Sequence, residues 1–571
     1  MMNAMINNVS VEVEDGLTIL EAARKYNINI PTLCHYPELH INSDCRICSV
    51  EIDGRKGLKT ACSTPIKDGM NIITNSPRVL NARKTITELI LANHDANCTA
   101  CTRNLNCELQ SLAKNLGIDI NRFPSVLERK PLDLLNPSLV RNSNRCIKCG
   151  RCVDVCKNVQ AMHVLETMHR GHEMTVGPAF DEPLNDQTCT FCGQCANVCP
   201  VGAIMEKDNT DVVWEKLHDP SVYVMVQIAP AVRVAIGETL DHENGLISNG
   251  KLVSALRHLG FDHIYDTNFT ADLTIMEEGT ELIDRIMNGG VLPMMTSCCP
   301  GWINFAEQRH PNIIDHISSC KSPQQMFGTL AKTYYADKSN IDSRDIYVVS
   351  VMPCTAKKYE ATRKEFRSFY DIPDVDIVLT TRELSKMFRQ MGVDFDLIKE
   401  EPFDNPFGIT TGAAQLFGAS GGVMEAALRT VYEIVNKKPL VDINFESVRG
   451  LQGIKEATVD LGGKEIKVAV SNGLANTKTL VEQIEAGTSP YTFIEIMACP
   501  GGCIGGGGQP YGTTNDVREA RLASTYFIDE EMVCRKSHEN EMILALYEDY
   551  LDEPNSEQAH HLLHTYYEAR K

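Results

Sequence analysis

The sequence has no long uninterrupted apolar run. Its nearest approach, residues 222–236, is broken by Gln227, Pro230 and Arg233 and falls short of the roughly 20 residues a membrane helix needs. No transmembrane helix is expected, and the opening residues lack the charged-then-apolar pattern of a secretory leader. Basic charge is scarce as well. With 55 Lys and Arg against 75 Asp and Glu, the formal charge is −20 before any bound cluster is counted, which disfavours nucleic acid as a general partner through phosphate repulsion.

Cysteine is in excess, 22 residues in 571. The chain is long and spaces its cysteines as ligands, so a reducing, cytoplasmic setting is expected rather than a disulfide framework. The length implies about three to five domains. The densest signal is Met497-Ala-Cys-Pro-Gly-Gly-Cys-Ile-Gly-Gly-Gly-Gly-Gln-Pro510, where two thiols lie four apart in backbone nearly free of side chains, suited to closing around a large inorganic group. A phosphate loop would leave both cysteines idle and lacks the Lys-Ser/Thr ending.

The first segment reads as strand, Asp15-Gly16 turn, a helix over 19–26 capped by Thr18, and a strand over 48–52. Cys34, Cys45, Cys48 and Cys62 fall on this small α+β unit, and four thiolates are what a 2Fe-2S cluster requires, although the spacing departs from the plant type. A helix over 79–93 then leads into His94, Cys98, Cys101 and Cys107. Three cysteines leave a 4Fe-4S cluster one ligand short, and His94 can supply it; zinc would accept the same set, but the neighbouring cluster motifs favour iron.

A repeated run follows: Cys146, Cys149, Cys152, Cys156, then Cys189, Cys192, Cys195, Cys199. In two-cluster ferredoxins the fourth cysteine of each run crosses to the other cubane. One 4Fe-4S cluster is therefore expected on Cys146, Cys149, Cys152 and Cys199, and another on Cys189, Cys192, Cys195 and Cys156. Lys157 stands where proline is usual.

From about residue 209 strand and helix signals alternate. Strands are expected over 222–228, 261–265, 346–351, 468–470 and 493–496, with helices over 252–259, 271–287 and 382–391. Ala229-Pro230, Thr296-Ser-Cys-Cys-Pro300, Met352-Pro-Cys354 and Met497-Ala-Cys499 each follow a strand-like segment. Ligands of open α/β sheets bind beyond the carboxyl ends of strands, so these four loops are expected to share a pocket.

Thr296-Ser-Cys-Cys-Pro-Gly-Trp302, Met352-Pro-Cys-Thr-Ala-Lys-Lys-Tyr-Glu360 and Glu495-Ile-Met-Ala-Cys-Pro-Gly-Gly-Cys503 resemble the three signatures of the FeFe hydrogenases. With the order of its cysteine motifs, the chain resembles the larger monomeric, clostridial-type members almost throughout. The resemblance implies a multidomain α+β and α/β fold. It comprises a β-grasp 2Fe-2S domain (1–78), a His-ligated 4Fe-4S domain (79–126), a two-cluster ferredoxin-like domain (127–208) and a large α/β catalytic domain (209–571).

It further implies reversible reduction of protons to H2 at an H-cluster, a 4Fe-4S unit on Cys299, Cys354, Cys499 and Cys503. Cys503 would bridge to a diiron unit carrying CO, cyanide and an azadithiolate. By the same resemblance Lys357 donates to one cyanide, Ala229 and Pro230 line the other, and Pro323, Gln324, Met352 and Met497 shape the pocket; Ala231 replaces the Ser of some members and so offers no hydroxyl. Cys298 would relay protons along Glu278, Ser318, Glu281 and Arg285. Helical spacing puts Glu278, Glu281 and Arg285 on one face, and Glu277 is expected on the solvated face.

Ferredoxin or flavodoxin is the expected electron carrier, with maturation proteins installing the diiron unit. A respiratory-complex iron-sulfur subunit would lack the three C-terminal motifs. An iron-sulfur assembly protein would be expected to lack parts of the diiron pocket, while a hydrogen sensor would be expected to add a signalling domain. Cys320 and Cys534 are expected to be buried structural thiols. Residues 541–571 read as a helical tail whose His560, His561 and His564 serve packing or the surface more readily than a metal.

Overall fold

In the computed structural model, which describes residues 1–125, 127–367 and 371–570, the N-terminal domain opens with a hairpin. Strands Met2–Ile6 and Val9–Val13 pair across Asn7 and Asn8, both at positive φ, the backbone that tight hairpin turns demand. Thr18 and Glu21 form a reciprocal cap that starts the Ile19–Lys25 helix. The five-stranded sheet runs Val9–Val13, Met2–Ile6, Asn71–Ile73, Ser49–Ile52, Lys59–Thr60. The expected boundary at residue 126 and the terminal Lys571 lie outside the described residues.

The next helix, Pro77–Ala92, starts two residues before the expected 79 because Ser76 caps it and Pro77 suits its first turn. Strands Leu139–Arg141 and Ile204–Glu206 pair antiparallel around the ferredoxin-like repeat. The two halves repeat in detail. Lys148 and Phe191 both sit at φ 58°, each followed two residues later by a left-handed glycine, and their amides donate to Cys146 Sγ and Cys189 Sγ at 3.4 Å. One local conformation thus presents both sets of thiols.

Beyond residue 209 the chain holds two four-stranded sheets. The first is parallel throughout, in the order His263–Asp266, Tyr223–Ile228, Ile346–Met352, Ile377–Thr380; the second runs Met294–Met295, Phe493–Met497, Lys464–Asn472, Ile454–Leu461, with only the last strand antiparallel. Residues 224–228 are buried on both faces, as helix-covered parallel strands must be. Gln227 is accommodated because its amide donates to Ser350 Oγ (2.8 Å) and the Gln324 carbonyl (3.0 Å) and accepts from Thr267 Oγ1. Two expectations shift: the strand expected at 261–265 forms at His263–Asp266, and that at 468–470 extends to Lys464–Asn472 through its hairpin.

The Thr267–Asn288 helix, capped by Asp266, runs through the middle of the domain and ends at left-handed Gly289. The C-terminal segment is not a loose tail. Ile543, Leu546, Tyr547, Leu551, Ala559, Leu562 and Leu563 join the main core, and the segment covers the side of the long helix that carries Glu277. Among the described residues no helix is long and apolar enough to cross a membrane.

Candidate active site

The four strand-end loops converge, drawn from both sheets. The ends of Tyr223–Ile228 and Ile346–Met352 in one sheet, and of Met294–Met295 and Phe493–Met497 in the other, deliver Ala229, Pro230, Cys298, Cys299, Met352, Cys354, Met497, Cys499 and Cys503 to one cavity, together with Pro323 and Gln324. It contains about 740 Å³ of space between atoms, and its polar side chains are five thiols, Thr267, Gln324 and Lys357.

The donor chemistry fits an iron-sulfur group. Cys299, Cys354, Cys499 and Cys503 lie within electrostatic range of one another. Burial pushes all four thiols up, Cys503 to about 12, so they become thiolates only with a cation among them. The Ala498 amide already points at Cys299 Sγ (3.3 Å).

Lys357 is no surface lysine. It is buried, and its Nζ donates to the Cys298 carbonyl (3.1 Å) and to Glu360 Oε1 and Oε2 (3.1 and 2.9 Å). Burial acts to lower its pKa, but Glu360 more than offsets this and the ammonium stays charged. Glu360 also accepts from Ser322 and Gln324 and so ties the Pro323-Gln324 turn to this lysine. Glu360 closes the Met352 motif three residues after Lys357, yet it was not singled out in the sequence; the i, i+3 spacing was the available signal.

From Cys298 a polar chain leads outward. The thiol is pushed well up, first by burial and then by the nearby charge of Glu278. Glu278 is raised to about 8, first by burial and then by Glu281. One of its oxygens accepts weakly from the Ser297 amide (3.3 Å) and the other is buried without a partner among the described residues. Ser318 lies within reach of Glu278 and donates to Glu281 Oε2 at 2.7 Å, while Arg285 donates to Glu281 Oε1 at 2.6 Å. Arg285 is partly exposed, so the chain spans cavity to surface.

Glu277, expected on the solvated face, is fully buried. It accepts from Tyr547 Oη and the Asn555 amide, and its Oε2 lies 3.0 Å from His564 Nε2. The C-terminal segment covers that helix face.

The glycine run also differs from expectation. A Cβ on Gly505, Gly506 or Gly507 would meet the carbonyl of Pro500, Pro353 or Cys192 within 2.2 Å, and one on Gly502 would meet the Ser420 nitrogen at 2.5 Å. The glycines principally let this loop press against protein, including the ferredoxin-like repeat; Gly502 and Gly506 also line the cavity. Gln194 donates to Gly505, Gln160 to Ala498, Thr355 to Phe191 and Asn304 to Cys189, locking the two units together.

The description "iron only hydrogenase large subunit, C-terminal domain" matches residues 222–507, and "iron hydrogenase small subunit" matches 515–570. NADP-reducing hydrogenase subunit HndD of Solidesulfovibrio fructosivorans is 47% identical across 100% of this chain and 99% of its own length. Iron hydrogenase 1 of Clostridium pasteurianum is 40% identical across 99% of this chain and all of its own. The chain belongs to the iron-only, or FeFe, hydrogenases. A solved FeFe-hydrogenase from Chlamydomonas reinhardtii superposes on this hydrogenase with TM-score 0.58 at 42% identity, over 64% of this chain and 99% of its own. Residues 1–77 match a 2Fe-2S cluster binding domain, while 83–122 and 136–205 match iron-sulfur regions of NADH-quinone oxidoreductases. That accounts for the likeness of the N-terminal half to a respiratory subunit, and the matches to the hydrogenase subunits separate the two.

The accessory thiols of the hydrogenase gather as well. Cys48 and Cys62 lie 3.3 Å apart, and Cys34 is within hydrogen-bonding reach of Cys45. Cys146, Cys149, Cys152 and Cys199 line one further cavity, and Cys156 is within electrostatic range of Cys189, Cys192 and Cys195, so each run's fourth cysteine lies with the other run's first three. Cys192 is within electrostatic range of Cys299 and Cys499, next to the active cavity. Cys101 lies within range of Cys107, and buried His94 Nδ1 has no hydrogen-bond partner among the described residues. Cys320 is fully buried as expected; Cys534 is only partly so.

Proposed function

We propose that this hydrogenase interconverts protons and H2 on an H-cluster held by Cys299, Cys354, Cys499 and Cys503, with Cys503 as the bridging thiolate. When bound, that group supplies the metal position at which H2 is made or split and a pendant amine that exchanges the proton. Cys298 passes this proton between the cavity and Glu278. Ser318 and Glu281 carry it on to Arg285 at the surface, and the raised pKa of Glu278 keeps it able to hold a proton near neutral pH. Charged Lys357 favours anionic ligands in the cavity, and Ala229, Pro230, Pro323, Gln324, Met352 and Met497 close it against water.

The convergence of five thiols, a charged lysine and a surface-reaching polar chain on one cavity carries this reading. Its test is anaerobic reconstitution of wild type and Cys503→Ala followed by loading with a synthetic diiron azadithiolate precursor. Infrared CO and cyanide bands should persist after desalting only in wild type, with accessory iron equal in both. Absence of the bands from wild type refutes the reading.

Electrons reach the cavity through one 2Fe-2S cluster on Cys34, Cys45, Cys48 and Cys62, one His94-ligated 4Fe-4S cluster with Cys98, Cys101 and Cys107, and the two cubanes of the repeat. We read four domains at 1–78, 79–126, 127–208 and 209–571, the first a β-grasp fold supported by its strand order. The free cysteines support a reducing, cytoplasmic setting. Ferredoxin or flavodoxin is the proposed carrier, and maturation proteins supply the diiron unit. The relative named as an NADP-reducing hydrogenase subunit favours a second reading, in which a partner subunit passes electrons from this chain to NADP. H2 evolution by the isolated chain with reduced ferredoxin separates the two.

A further inference from the structure

Beside the outward polar chain, and sharing Glu281 with it, lies a cluster whose Cys320 and His564 the proposed reaction does not use. Residues 318–321 pair with 563–565: the Lys321 amide donates to the Leu563 carbonyl and the Thr565 amide to the Ser319 carbonyl, both at 2.7 Å. This pairing sets Cys320 opposite His564. Cys320 Sγ then lies 4.0 Å from His564 Nδ1 and 3.8 Å from Glu281 Oε2, and the three ligand atoms fall within 4.8 Å of one another. We propose that Cys320, His564 and Glu281 form a binding site for a borderline-soft divalent cation, with Zn2+ the best fit.

Three observations point to a metal. A tetrahedral zinc with arms of about 2.0–2.3 Å separates its ligand atoms by roughly 3.3–3.6 Å, so the two sulfur distances need to close by only a few tenths of an ångström, while His564 and Glu281, within 4.8 Å of each other, must draw together further. The imidazole is oriented as metal-binding histidines are. Its far nitrogen faces a carboxylate, Glu277 Oε2 at 3.0 Å, itself fixed by Tyr547 and the Asn555 amide. A proton on Nε2 leaves the Nδ1 lone pair facing the cluster, where the Ser319 hydroxyl meets it at 2.8 Å and the Cys320 thiol at 4.0 Å. Finally, the sulfur-nitrogen-oxygen set suits zinc and disfavours magnesium or calcium, which take oxygen ligands. His560 stacks on His564 with ring centroids 4.2 Å apart and closes the outer side; Ser319 or water completes the fourth position.

Occupancy would draw Glu281 Oε2 away from the Ser318 hydroxyl and so slow proton delivery, a consequence that rests on the proposed proton route. The test adds Zn2+ to the anaerobic holoenzyme, removes excess metal, and measures zinc and iron per chain together with zinc-edge X-ray absorption. Wild type should retain one zinc with iron unchanged, and show one sulfur at about 2.3 Å with nitrogen or oxygen at about 2.0–2.2 Å. Cys320→Ser should lose the sulfur, and Cys320→Ser and His564→Gln should both weaken binding. Glu277→Gln, which removes only the orienting carboxylate, should cost about 10- to 100-fold in affinity. Variants are compared at wild-type iron content; should Cys320→Ser fail to reach it, Cys320→Ala and His564→Gln decide. No retained zinc, zinc gained only as iron leaves, or an unchanged sulfur shell in the Cys320 variants overturns the site. If zinc binds as described but H2 evolution by wild type is unaffected, the site stands and Glu281 is removed from the proton route.

Discussion

Lys357 Nζ sits 3.1 Å from the backbone carbonyl of Cys298, which joins the Met352 motif to the Cys298 loop through one buried ammonium. The same ammonium neutralises buried Glu360. Lys357→Met leaves that carboxylate unpaired, which costs about 3–5 kcal/mol for a buried pair broken on one side. Chemical denaturation of the cluster-loaded protein should show a loss of this size, and Glu360→Gln in the same background should recover part of it. Equal stability of Lys357→Met and wild type would contradict the buried pair.

Glu278 titrates at about 8 in the folded chain against an ordinary 4.5. Across that window the folded state binds more protons than the unfolded state, so this group makes stability fall as pH rises. Glu278→Gln removes the effect. Between pH 5.5 and 8 the variant should gain roughly 3 kcal/mol on wild type, from about 1.36 kcal/mol per unit, while its H2 turnover is largely lost. A stability gap that does not change with pH would place Glu278 in contact with solvent.

Gly506 and Gly512 test what the glycines do. A Cβ at Gly506 would meet the Pro353 carbonyl at 2.2 Å, whereas Gly512, at φ 81°, has nothing within 4 Å. Gly506→Ala should displace the Cys354 loop, cost about 1–3 kcal/mol or more, and lower retained diiron unit. Gly512→Ala should carry only its backbone cost, of order 1 kcal/mol, with iron content intact. Matching iron and thermal profiles for the two variants would contradict the packing account.

His94, whose Nδ1 is buried without a hydrogen-bond partner among the described residues, is the proposed nitrogen ligand for the cluster of Cys98, Cys101 and Cys107. His94→Ala should lower iron by up to one cubane's worth and remove one paramagnetic signal, leaving the 2Fe-2S signal in place. Full iron content in His94→Ala would argue against histidine ligation.

Much of the site was legible because ligand spacing is a local property. Cys146 to Cys199, Cys299, Cys354, Cys499 and Cys503 could be grouped by motif, and the loops carrying the last four could be placed after strand-like segments. What escaped depends on distant segments. Glu277 and Glu278 are adjacent, so helical periodicity exposes one of them only if a face is open; residues 541–570 cover the Glu277 face, while Glu278 is buried against Ser297 and Ser318. The glycine run suggested a cradle, but which atoms a missing Cβ makes way for is a tertiary fact, and here they belong mainly to Pro353, Cys192 and Ser420. Glu360 escaped notice because an acidic residue three after a lysine is usually a solvated helix pair.

On the proposed route Cys298 links the cavity to a proton path ending at Arg285. H2 evolution should be compared between wild type and Cys298→Ser, both loaded with the synthetic diiron precursor to equal infrared CO and cyanide intensity. Loss of nearly all turnover at equal loading is the predicted result. A Cys298→Ser enzyme that keeps the full wild-type rate would contradict it.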